Sequence, residues 1–359
     1  MINSMDEKVL RVISVMSVFL TVIVCICLQF FPDMHAKIAM AKEAQQLIAS
    51  GKISNDVAIE NIKSTYDVVE ENEDLEAQLK IELPDKAGEK KISAENDCYN
   101  HVVYLHFSNG VDDFFSNYKI SGSSDHILSL SYYMDGSDGV IVFVMDKIYI
   151  PSWKLKNGNL YLDFLEPHKA YDKIVVVDAG HGERAVGACR MDYMEKDINL
   201  DILLKLKEYE ENTDDKIGFF YTRTSDVNPT LEQRVGLANE LNADLFISIH
   251  SNTSGSGNYS DLNGTQVLYS EDDDGELTSK KFANICLECV TGETGSNEIG
   301  LLEGNKIHII RNSKVPVALI EVGFMTNKEE LMNLVSSDYQ EKIAKGIYKA
   351  IQKAFEEGY

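Results

Sequence analysis

The chain has 359 residues, more than one ordinary domain and enough to bury a large core. Lysine and arginine number 34 against 58 aspartates and glutamates, a formal charge of −24, which argues against a nucleic-acid partner because phosphate contacts need clustered cations. The six cysteines are scattered and imply no disulfide framework.

Val12 to Phe31 form an uncharged, largely apolar run. About 20 such residues suffice to cross a bilayer as a helix, so residues 1–32 are expected to be an N-terminal transmembrane anchor. A cleaved signal peptide is the alternative, but the run exceeds a usual signal core and MHAKIAMA after it is a poor cleavage site. The flanking charges orient the span only weakly.

Residues 33–97 are polar and charged, and AKIAMAKEAQQLIA and VAIENIKSTYDVVEENEDLEAQLK carry helical spacing, so a charged helical stalk is expected there. Between 98 and 168 the texture changes to short β-branched and aromatic runs (HVVYLHF, HILSLSYYM, GVIVFVM, KIYIPSW, NLYLDF) separated by turn signals, the pattern of a small antiparallel β-domain. Trp153, Tyr132 and Tyr133 offer a carbohydrate platform, against the plainer expectation of core packing.

From 172 to 359 strands alternate with helices. KIVVVDAG, KIGFFYTR, ADLFISIHSN, HIIRNS and VPVALIEVGF read as strands. KDINLDILLKLKEYEE, TLEQRVGLANELN, TSKKFANICLECV and DYQEKIAKGIYKAIQKAF read as helices. This is an α/β domain with a mostly parallel central sheet flanked by helices, whose site belongs beyond the carboxyl ends of the strands. Cys286 and Cys289 stand inside a helix with no second pair to complete a metal site, and are read as buried helix cysteines.

Four metal-capable residues fall at or beside strand ends: His181, Glu195, His250 and Glu321. Two neutral imidazoles and one carboxylate make up the ligand set of a catalytic zinc with an open position, and a further carboxylate can serve as base. Small neighbours around both histidines leave room for a metal and substrate. Asp178 and Asn252 are candidates to orient the imidazoles. Glu195 opens a helix, where favourable interaction with the helix dipole is the bland explanation. Glu321 follows VPVALI and should be nearly buried, which is costly without a partner. His168, in a linker, and His308, in an alternating run, are weaker ligand candidates. Arg223 and Arg234 are expected to brace loops by pairing with Asp226 or Glu232.

The ordered segments VVVDAGHG, EKDINL, TRTSD, LEQRVGLAN, ADLFISIHSN and IEVGFMTN resemble the zinc-dependent N-acetylmuramoyl-L-alanine amidases of the amidase-3 type, over residues 172–359. The resemblance implies that His181, Glu195 and His250 bind Zn2+ and that Glu321 is the catalytic base. It implies cleavage of the amide between N-acetylmuramic acid and L-alanine in peptidoglycan, outside the cytoplasm of a membrane-anchored protein. The β-domain is similar in texture and position to the wall-targeting domain that often precedes such amidases. The chain departs from the family where GERAVGACRMDYM replaces a Gly-Asp-Pro-Gly-Ala-like loop, and at Leu302, where a lysine is frequent. A zinc carboxypeptidase is the rival enzyme, and would need a positioned arginine. A catalytically silent wall-binding or regulatory protein is the rival of another class.

Overall fold

The computed structural model describes residues 59–62, 77–84, 87, 92–211, 216–273 and 276–359. The expected anchor and most of the expected stalk lie outside the described residues. Among the described residues no helix is long and apolar enough to cross a membrane.

Among the described residues the first domain is all-β apart from one short helix. Its strands are β1 (Ile59–Ile62), β2 (Leu79–Glu82), β3 (Ile92–Asp97) and β4 (Val102–Phe107). Helix α1 (Phe114–Asn117) precedes β5 (Ile120–Gly122), β6 (Ile127–Asp135), β7 (Asp138–Met145), β8 (Ile150–Lys156) and β9 (Asn159–Leu165). They form two antiparallel sheets, ordered β1-β3-β4-β7-β6 and β5-β2-β9-β8. One apolar cluster draws on both: Leu105 and Phe143 from the first, Ile81, Leu160 and Leu162 from the second. Burial alternates strictly along β9, as a strand with one face on a core requires. Trp153 is 7% exposed and belongs to this cluster, so it is a core residue and not a platform.

The stalk expectation fails where it can be compared. Segments 59–62, 79–82 and 92–97 are strands, and the β-domain therefore begins well before residue 98. The glutamates and lysines of these segments are good helix formers in isolation. In LKIE the alternation puts Leu79 and Ile81 into the core, and cross-strand pairing outweighs propensity.

Helix α2 (Pro167–Ala170) connects directly to the second domain. That domain holds β10 (Lys173–Ala179), the two-residue strands β11 (Cys189–Arg190) and β12 (Tyr193–Met194), α3 (Glu195–Glu211), β13 (Ile217–Tyr221) and α4 (Leu231–Glu240). Then come β14 (Leu245–Asn252), β15 (Thr265–Tyr269), α5 (Ser279–Thr294), β16 (Glu298–Glu303), α6 (His308–Arg311), β17 (Val317–Phe324), α7 (Lys328–Leu334) and α8 (Ser337–Glu356). The main sheet has the order β13-β10-β14-β17-β15-β16, parallel except where β15 meets β17.

Helices cover both faces, which is why the central strands are continuously apolar. Val175, Val177 and Ala179 of β10 join the cluster that includes Ile202 of α3, Phe282 of α5 and Ile347 of α8. Ile174 and Val176, pointing the other way, meet a cluster with Val235 of α4 and Ile310 of α6. Cys98, Ile148 and Ile150 of the β-domain belong to that second cluster, so the two domains share buried core.

The segment HIIRNS, expected as a strand, is the helical turn α6. Its adjacent Ile309 and Ile310 are both buried in one cluster, whereas successive strand residues point to opposite faces. Strand β15, the edge strand β16 and the short helix α7 carry no expectation from the sequence.

Candidate metal centre and active site

β10 ends at Ala179, and the chain then turns sharply: His181 has φ 67°, Gly182 φ 146° and Glu183 φ 44°. A left-handed conformation at a non-glycine residue costs on the order of 1 kcal/mol or more and persists only where the surroundings enforce it. Here two buried arginines do so. The His181 carbonyl accepts from Arg234 Nη2 at 2.6 Å. The Ala179 carbonyl accepts from Arg223 Nε and Arg234 Nη1, both at 2.8 Å. The Gly180 carbonyl accepts from Arg223 Nη2 at 3.1 Å and Asn199 Nδ2 at 3.3 Å.

Asp178 is the counter-charge. It accepts from Arg234 Nη1 at 2.5 Å and from the hydroxyls of Thr222 and Ser248, each at 2.6 Å. Burial opposes its ionisation, but the guanidinium and the two hydroxyls hold its carboxyl below the usual range. Asp178 therefore does not hydrogen-bond an imidazole as expected; it anchors the strand end that carries one. The Asn252 side chain instead accepts from the backbone N–H of its neighbour Thr253 at 2.8 Å. Arg223 and Arg234 do brace loops, but through backbone carbonyls and Asp178 in place of Asp226 or Glu232. The long-range partners of a buried guanidinium are invisible to local pattern.

Glu195, the first residue of α3, is brought under this turn. Its Oε1 lies 3.1 Å from His181 Nε2 and 2.9 Å from His250 Nδ1. It also accepts from Ser251 N at 3.2 Å, while Oε2 accepts from Ala188 N at 2.8 Å. Burial pushes the Glu195 carboxyl up, yet the two imidazoles more than offset it and hold the group far below the usual range. Conversely His250 is raised: burial works against its charge, and Glu195 with Glu321 outweighs it. Two glycines permit the close approach. A Cβ on Gly180 would stand 2.2 Å from His250 Nε2, and one on Gly187 would stand 2.4 Å from Glu195 Oε2.

The donor atoms of His181, Glu195 and His250 all lie within 4.8 Å of one another. Ligands about 2.0–2.1 Å from one tetrahedral zinc stand about 3.3 Å apart, so the observed 2.9 and 3.1 Å describe a compact set that suits such an ion. Glu321 faces the group from the adjacent strand, paired with His250 in the parallel ladder. Its Oε2 is buried with no hydrogen-bond partner. Burial pushes the carboxyl up to about 7, with His250 pulling down and Glu195 adding to the rise. The residue is only partly buried overall, less than expected. A carboxyl with that affinity and a free oxygen can exchange a proton near neutral pH.

The remaining candidates lie elsewhere. His168 Nε2 stands 2.9 Å from the Asn242 carbonyl, and His308 Nε2 3.6 Å from Glu232. Leu302 is on the edge strand β16, 48% exposed. Cys286 is buried within α5 and Cys289 half-buried, both free thiols. One feature missed by sequence reasoning is Lys196, 9% exposed and paired with Asp197 at 2.8 Å and Asp226 at 2.7 Å; a lysine in a first turn carries no signal of burial. Another is a cleft of 210 Å³ beside the 181–183 turn, lined by Tyr99, Asn100, Glu183, Asn228, Pro229 and their neighbours.

A family profile described as N-acetylmuramoyl-L-alanine amidase matches residues 175–353. The germination-specific N-acetylmuramoyl-L-alanine amidase of Bacillus subtilis (strain 168) is 30% identical over 198 residues, 52% of this chain and 81% of that protein. The uncharacterised protein YqiI of the same organism is 33% identical over 189 residues, covering 52% and 86%. The solved catalytic domain of CwlV, an N-acetylmuramoyl-L-alanine amidase from Bacillus (Paenibacillus) polymyxa var. colistinus, is 35% identical over 51% of this chain and 98% of that one, with a TM-score of 0.47. With relatives at this identity matched over more than four fifths of their length, the chain belongs to the N-acetylmuramoyl-L-alanine amidase family.

Proposed function

We propose that the chain is a zinc-dependent cell-wall hydrolase that cuts the amide between the lactyl group of N-acetylmuramic acid and the L-alanine of the peptidoglycan stem peptide. His181, Glu195 and His250 would hold the ion and Glu321 would act as the base. The observation that carries this reading is the unpartnered, buried Oε2 of Glu321 beside three converging donors.

When bound, zinc acts as a Lewis acid on a carbonyl oxygen and lowers the pKa of nearby water. The rest of the chemistry falls to the chain. Glu195 is ionised and its backbone donors fix its orientation. Glu321 takes a proton from the attacking water and delivers it to the amine of the departing L-alanine, a transfer suited to a carboxyl poised near neutrality. The rival carboxypeptidase reading gains no support from Arg223 and Arg234, which direct their guanidinium groups at backbone carbonyls and Asp178.

The test is digestion of purified peptidoglycan by the zinc-loaded full chain beside Glu321→Gln, with products read by mass spectrometry. Stem peptides with a free L-alanine amino terminus, released only by the parent, are expected. Intact muropeptides from a zinc-loaded parent would leave a wall-binding role instead. The uncharged run from 12 to 31 supports a single-pass anchor, and a peptidoglycan substrate would put the catalytic domain outside the cytoplasm. Protection of the domain from added protease in intact spheroplasts would refute that orientation.

A further inference from the structure

We propose that Tyr99, carried by the β-domain, is a positioning residue of the amidase site: it steadies the 179–183 turn and the start of α3 from across the domain junction. The metal-affinity part of this proposal rests on the zinc reading above; the positioning part does not.

Tyr99 sits in a turn that is itself fixed. Asn100 N and Nδ2 both donate to the buried Asp97 carboxylate, at 3.1 and 2.8 Å. His101 adopts φ 54° and lies 2.8 Å from Glu240 of α4. From this turn Tyr99 Oη donates to the Thr222 carbonyl at 2.9 Å. That carbonyl belongs to the peptide joining Thr222 to Arg223, and both residues lead to the site. Thr222 Oγ1 donates to Asp178, which pairs with Arg234, which holds the His181 carbonyl. Arg223 holds the carbonyls of Ala179, Gly180 and Lys196, so it ties the turn bearing His181 to the residue following Glu195. His181 and Glu195, two of the three candidate ligands, therefore rest on one dipeptide, and the β-domain grips that dipeptide. Such networks are satisfied or lost together.

The experiment uses the full chain with Tyr99→Phe, which keeps the ring and deletes the hydroxyl. Amide exchange of the metal-free protein is read at Gly180 and Gly182, whose N–H groups donate to Ile249 and Ala185, and at Gly304, which donates to Tyr269 far from the junction. Exchange at 180 and 182 should rise about fivefold, with Gly304 unchanged, for the loss of one buried hydrogen bond. Zinc affinity should fall by a similar factor, below the 10–100-fold typical of a partner in direct contact with a ligand. His168→Gln, which loosens the junction at the connecting turn α2, away from Tyr99 and Thr222, should leave both readouts at parent values. If Tyr99→Phe does not fold, Thr222→Val breaks the next bond in the series and should give the same pattern. Parent-like exchange at 180 and 182 in the folded variant overturns the proposal. A parent that binds no zinc while the exchange pattern holds would sink the metal reading and leave the positioning intact.

Discussion

At the residue scale, the geometry assigns opposite proton affinities to two neighbouring carboxyls. Glu195, gripped by two imidazoles and two backbone amides, is held ionised; Glu321, with a bare buried oxygen, is held near neutrality. Glu321→Gln should therefore bind zinc as the parent does and lose about 10²–10⁴-fold in kcat, read by muropeptide release. Gly180→Ala should be worse for metal binding than for folding, because its methyl group meets the His250 ring at 2.2 Å; metal content after dialysis checks this. Glu330 supplies a stability prediction away from the site. It is buried, accepts from Phe324 N and Gly264 N, and is pushed up to about 6 by burial. A carboxyl whose folded pKa exceeds its unfolded value of 4.5 is stabilising in its protonated form. Its contribution is present below about pH 4.5 and is lost as pH rises through about 6, amounting to about 2 kcal/mol. Urea melts of the parent against Glu330→Gln, at pH 4.5 and 7, should show that difference. The four candidate residues stand out in the sequence because each sits beside strand ends in short, unusual local contexts. Their supports do not, since Arg234 and Asp178 are 56 positions apart and nothing local pairs them.

At the element scale, what was legible follows burial on both faces. The runs IVVV, LFISI and VALI could only be central strands, and all three lie together in the sheet. The edge strand β16 has no fully buried residue and contains Gly300, so neither apolar continuity nor alternation marks it. The α4 boundary was sharper: Thr230 accepts from Gln233 N and Gln233 Oε1 accepts from Thr230 N, a reciprocal cap. Thr230→Ala should cost about 1 kcal/mol. Because α4 carries Arg234, thermal melts and zinc affinity should both register the change, the second more weakly.

At the scale of the whole molecule, the domain junction is what the sequence could not disclose. Composition separates a β-rich region from an α/β region, and a wall-targeting domain preceding a catalytic one is the expectation it supports. Cys98, Ile148 and Ile150 instead pack into the same cluster as Ile174, Val176 and Phe220. Ile150→Ala should cost about 2–5 kcal/mol, and calorimetry of the full chain should show the β-domain and the α/β domain melting together in one transition. Two separated transitions would mean that the shared cluster adds little.

Only a short helical turn, α2, lies between the last strand of one domain and the first strand of the next, and His168 within it is tied to Asn242. There is thus no slack at this joint from which a hinge could be made. Whatever surface captures the β-domain also fixes the heading of the catalytic turn, as the handle of a tool fixes its blade. The reach of the enzyme would then be a matter of where the whole body lands, and lengthening the joint with a few glycines would trade aim for range.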